Sequence, residues 1–132
     1  MRDTLRIANC SGFYGDRLSA AREMVEGGPI DVLTGDYLAE LTLMILLKDK
    51  LNNDELGYAR TFLKQLEDVA ATCCERGIKI VVNAGGLNPA GLARAAMDLY
   101  RKLGLAAEVA WVEGDDLLGK LPALMEQGES FT

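Results

Sequence analysis

None of the 132 residues is histidine, so any acid–base chemistry in this chain falls to Asp, Glu, Lys, Tyr or Cys. Ser-His-Asp and Cys-His nucleophilic catalysis, HExxH zinc chemistry and the usual imidazole proton shuttle are excluded. Asp16 and Asp36 are the candidate catalytic groups. A carboxylate pair can hold Mg²⁺ or take a proton from an acidic carbon. The plainer alternative is that both are helix N-caps. Around them, Asn9, Ser11, Gly12, Tyr14, Gly35, Asn83, Gly85, Gly86 and Asn88 are candidate ligand-binding residues, offering amides, hydroxyls and glycine backbone close to a ligand. The sequence specifies neither a metal nor a cofactor.

Gly85-Gly86 followed by Asn88-Pro89 reads as a turn into an N-capped helix with proline in its first turn. Unpaired N–H groups at such a start, beside the positive end of the helix dipole, suit a carboxylate or phosphate. Equally, two glycines permit a tight strand-to-helix turn and need no ligand. The familiar phosphate motifs are absent. Gly12 and Gly15 give GxxG without the third glycine of a dinucleotide fingerprint, and Leu92 stands where a P-loop lysine would. Asp115-Asp116 suits a helix start without any ligand. Cys10, Cys73 and Cys74 are odd in number, and the last two are sequence neighbours, so reduced thiols are expected, with Cys73 and Cys74 in the core.

The elements that would position these residues alternate between strand and helix. Residues 4–8 (TLRIA) read as an interior strand, 30–33 (IDVL) as a second, 78–82 (IKIVV) as a third buried on both faces, and 106–112 (AAEVAWV) as a fourth. Helices are expected after Asp16, from Asp36 or Tyr37 to Leu51, from Asp54 to Arg76 behind an Asn52–Glu55 capping box, from Pro89 to Leu103, and over 121–127. Gly77 sits where a left-handed helix terminator belongs. The helix before Leu51 is apolar over most of its circumference and is expected to be largely buried. The pattern predicts an α/β fold of the Rossmann-like three-layer type, about four parallel strands with helices on both faces. Parallel strands end on one edge, so the loops at 9–16, 34–36, 83–88 and 113–116 converge there, where open α/β sheets bind ligands. The alternative is that helix starts acquire polar caps in any case.

Composition is that of one globular domain, with 49% hydrophobic and 26% charged residues. The net charge is −6 with basic residues scattered, which argues against nucleic acid or an anionic membrane as partner. No run suggests a membrane span, and a cytoplasmic location is expected.

Four segments carry a resemblance: NCSGFYGDR (9–17), PIDVLTGDYLAELT (29–42), GYARTFLKQLE (57–67) and GIKIVVNAGGLNPAGLA (77–93). In content and order they resemble the amino-terminal domain of the acyclic terpene utilisation family. The resemblance implies a cytoplasmic bacterial-type protein in the breakdown of acyclic isoprenoids such as citronellol and geraniol, a pathway run on branched acyl-CoA thioesters. It implies no particular reaction. A small-molecule carboxylate or acyl-CoA is the expected partner; the alternative is a non-catalytic domain that positions another enzyme, such as a biotin-dependent carboxylase. The family's members are longer, so this chain is expected to be an amino-terminal piece whose apolar surface is covered by further chain or another subunit.

Overall fold

The computed structural model describes residues 4–130. Its elements are β1 (Ile7–Asn9), α1 (Ala20–Glu26), β2 (Val32–Gly35), α2 (Glu40–Asn52), α3 (Arg60–Arg76), β3 (Lys79–Val82), α4 (Pro89–Lys102), a 3-10 turn (Leu118–Lys120) and α5 (Leu121–Glu126). The three strands form one parallel sheet in the order β1-β2-β3. Residues 106–112 have no regular structure, so the expected fourth strand is not part of this sheet.

The register fixes what each face carries. Ala8, Leu33 and Ile80 lie opposite one another on one face, with Gly35 opposite Val82. Leu33 is buried against Ala21 and Val25 of α1 and Val69 and Cys73 of α3. Ile80 and Val82 pack against Phe62, Leu66, Leu92 and Ala96 from α3 and α4. The other face presents Ile7, Val32 and Lys79, then Asn9, Thr34 and Val81. Ile7 and Val81 are each 60% exposed there. Helices therefore cover one face of the sheet, and β1 and β3, which read as interior strands in the sequence, are edge strands with one wet face. Apolar runs this short look alike whether one face or both are covered.

Local chemistry explains the other departures. α1 begins after Ser19 and not after Asp16, because Asp16 closes the preceding loop. α3 begins at Arg60 and not at Asp54, since Ala59 is held extended by its N–H bond to the Ala84 carbonyl (2.8 Å). The capping box at Asn52 does not form; Asn53 instead accepts from the Glu55 N–H at 3.0 Å. Cys73 is buried as expected, whereas Cys74 is exposed. In α2 only Thr42 and Leu46 are buried. Leu41, Met44 and Leu51 are 68%, 69% and 78% exposed, so most of the circumference expected to be buried faces outward.

Candidate functional site

The loops after β1, β2 and β3 meet at the carboxyl edge of the sheet. The Asp36 N–H donates to the Ser11 carbonyl (2.9 Å) and the Cys10 N–H to that of Thr34 (2.8 Å), tying the first loop to the second. The third joins through Asn83. Its Oδ1 accepts from the Tyr37 N–H at 2.8 Å, while its Nδ2 donates to Asp36 Oδ1 at 2.6 Å. Asp36 Oδ1 also accepts the Leu38 N–H at 3.3 Å. Asp36 is exposed, α2 starts four residues later, and the carboxylate is therefore no helix cap. Among the described residues nothing hydrogen-bonds Asp36 Oδ2 and no cation pairs with it. Beside this pair, Thr34 Oγ1 donates to Asn9 Oδ1 (3.3 Å), and Asn9 Nδ2 donates to the Ser11 carbonyl (2.8 Å).

Asp16 has a different setting. Oδ2 accepts the Gly12 N–H at 2.9 Å and Oδ1 the Arg17 N–H at 2.7 Å. These backbone donors, Gly12 first, hold its carboxyl below the usual carboxylate range. Such an acid is a weak base and a good loop clasp. Ser11 is buried with its hydroxyl on the Phe13 carbonyl (3.0 Å), and the Tyr14 carbonyl accepts from Thr61 Oγ1 at 3.0 Å. Gly35 is buried with the Tyr37 ring over its Cα; a Cβ there would lie 2.6 Å from Tyr37 Cε2.

The glycine turn after β3 is occupied by the fold itself. Gly86 adopts φ +52°, and an added Cβ would stand 2.4 Å from Leu46 Cδ1 and 3.0 Å from the Gly57 carbonyl oxygen. Leu87 N–H donates to that same Gly57 carbonyl (2.9 Å). Asn88 caps α4 through Oδ1 on the Gly91 N–H (2.9 Å), and its Nδ2 reaches the carbonyls of Asp54, Glu55 and Leu56 at 3.0–3.3 Å. Lys50 Nζ adds a bond to the Leu87 carbonyl (2.7 Å). The donors expected to seat an anion here are stitching α4 to the segment before α3.

Beneath the edge lies a buried polar group that the sequence reading missed. The Tyr37 hydroxyl donates to Gln65 Oε1, Cys10 Sγ lies 4.0 Å from that hydroxyl, and Gln65 Nε2 donates to the Arg17 carbonyl (3.4 Å). Burial pushes the Tyr37 hydroxyl and the Cys10 thiol up, and Cys73 up to about 11. None supplies an ionised nucleophile near neutrality. One signal was available: Gln65 is the one polar interruption between Phe62, Leu66 and Val69 on the buried stripe of α3. Among the described residues no group of three or more metal-ligating side chains comes together, and no helix is long and apolar enough to cross a membrane.

In comparisons with known proteins, the family model described as acyclic terpene utilisation family protein AtuA matches residues 5–132. No curated protein and no solved structure matches.

Proposed function

We propose a role that starts from ancestry: the chain belongs to the acyclic terpene utilisation family, and its strand-end edge binds a branched carboxylic acid or its CoA thioester in acyclic isoprenoid breakdown in the cytoplasm. The observation that carries this reading is Asp36, an exposed carboxylate between the ends of β2 and β3 with Oδ1 fixed by Asn83 and Oδ2 open. Asn83 positions it, and Asp36 is the general base. Asn9 frames one side; Gly12, Ser11 and Tyr14, clasped by Asp16, form that wall, and Gly85, Gly86 and Asn88 hold the opposite wall in place. Two carboxylates repel at close range, so the thioester, whose acyl end is neutral, is preferred over the free acid. Its α-carbon is also the more acidic, which suits a carboxylate base.

Calorimetry of wild type and Asp36→Asn with a branched acyl-CoA, the free branched acid and free CoA tests this. The expected result is thioester binding that weakens at least tenfold in the variant. Equal affinity of both proteins for the thioester would overturn the site assignment.

The exposed apolar residues of α2, Leu41, Met44 and Leu51 among them, favour a second reading, a scaffold domain whose α2 docks a partner enzyme. Co-purification separates the two: a stable complex lost with Met44→Lys but kept with Asp36→Asn supports the scaffold.

A further inference from the structure

α2 is held to the fold by one side. Thr42 and Leu46 are buried, a Cβ on Gly86 would stand 2.4 Å from Leu46 Cδ1, and Lys50 Nζ reaches the Leu87 carbonyl at 2.7 Å. These three residues follow one another at intervals of four and mark the inner side of the helix. The outer side is centred on Met44, with Leu41, Leu47 and Leu51 around it, all exposed. Large apolar side chains gathered on an outward helix face mark an interaction surface.

The charges of α2 say what fits that surface. Four of its residues are charged. Asp49 pairs with Arg60 at 3.3 Å, and Lys50 holds Leu87. Glu40 and Lys48, both exposed, have no ion pair or hydrogen bond among the described residues. They stand four residues before and four residues after Met44, so acid, methionine and base form one outward row along a helix ridge. Turned end for end about Met44, the row becomes base, methionine and acid, which is its own complement. A two-fold axis performs that operation. An enzyme of different sequence would need no such self-match.

From this row we infer that α2 is a homodimer interface, packing antiparallel against α2 of a second copy about a two-fold axis at Met44. Glu40 of each copy faces Lys48 of the other, Leu41 faces Leu47, and Met44 meets its twin. The apolar residues supply the affinity. The charge pairs set direction and register, since exposed ion pairs add little strength while like charges brought together penalise the wrong alignment. In a parallel pair the same row would set Glu40 against Glu40 and Lys48 against Lys48. α2 has 13 residues and is about 20 Å long, which puts the contact at the small end of specific interfaces, so the dimer dissociates on dilution. It is independent of what binds at Asp36.

Sedimentation equilibrium of the wild-type chain from about 1 to 100 μM should show monomer giving way to dimer and to nothing larger. Glu40→Lys and Lys48→Glu each set two like-charged pairs across the axis and should weaken the dimer about tenfold. An equimolar mixture of the two variants should recover it, because every pair in the mixed dimer is again opposite in charge. Disulfide trapping reads the register by a second route. In a Cys74→Ser background, which removes the exposed thiol, Met44→Cys should link two copies about tenfold faster than Leu41→Cys. The two positions are equally exposed, at 69% and 68%, but Leu41 and its twin lie about 9 Å apart along the paired helices. A monomer at every concentration, or a dimer that neither charge reversal weakens, overturns the interface. So does a chain that stays monomeric alone and binds another enzyme through Met44, which would assign the face to that enzyme. Equal linking rates, or variants that dimerise no better mixed than apart, overturn the two-fold about Met44.

Discussion

Asp16 and Asp36 are the same side chain at the ends of neighbouring strands, and both follow a glycine. Asp16 has each oxygen on a backbone N–H of its own loop. Asp36 has one oxygen bound across the sheet by Asn83 and the other open. Asn88 belongs with Asp16, its amide shared among a helix cap and three carbonyls. The flanks of the strand-end edge hold the loops, and in its middle Asp36 Oδ2 has no hydrogen-bond partner among the described residues. A polar residue at a strand end is available for chemistry only to the extent that the fold has left its lone pairs and donors unmatched.

The contrast breaks first if the flanks prove dispensable. Gly86→Ala must hold an alanine at φ +52° and drive its Cβ into Leu46 and the Gly57 carbonyl. Together, backbone strain and the clash should cost about 2–4 kcal/mol. Urea denaturation should register the loss with little change in slope; wild-type stability would mean that this turn is free to receive a ligand. Asn88→Ala is next. Losing the cap costs about 1 kcal/mol and stranding the neighbouring carbonyls about as much again, for a total of about 2 kcal/mol. Rescue by Asn88→Asp should be partial, because a carboxylate restores the cap and cannot donate to those carbonyls.

A smaller effect, confined to acid, distinguishes the two aspartates directly. The folded pKa of Asp16 is lowered by the Gly12 and Arg17 N–H groups, so its contribution to stability is present above the ordinary carboxylate value of about 4 and is lost as pH falls through the lowered folded value. Following the Gly12 and Arg17 amide resonances from pH 6 down to 2 should show the loop loosening at the bottom of that range. Asp16→Asn should remove the transition. An identical acid profile in the variant would mean that Asp16 is not the clasp.

The sequence made the alternation of strands and helices, the αL stop at Gly77 and the Asn88 cap legible, because each rests on a local rule that one residue type satisfies. It did not reveal which sheet face is covered. Ile7 and Val81 are β-branched, and their exposure is set by where α1, α3 and α4 lie, which is a long-range property. Convergence of Asp36 and Asn83 at one edge followed from parallel topology; the direct bond between them did not, since 47 residues separate the two. Gln65 was overlooked because a helical period weighs apolar matches, and a buried amide appears in it only as a gap.

The smallest expected effect on the fold is also the sharpest statement about the middle of the edge. In Asp36→Asn the oxygen that accepts from Asn83 and Leu38 is kept, and only the open oxygen becomes an amide. The substitution is exposed, so stability should stay within about 0.5 kcal/mol of wild type. Affinity for a branched acyl-CoA should nevertheless fall, because the amide cannot accept the proton or hydrogen bond that Oδ2 accepts. Asn83→Ala separates the two functions of the pair. It frees the Tyr37 N–H and lets Asp36 swing, so it should cost about 1 kcal/mol of stability as well as affinity. A fold loss in Asp36→Asn as large as that in Asn83→Ala would place Asp36 among the structural clasps with Asp16, and the open middle would close.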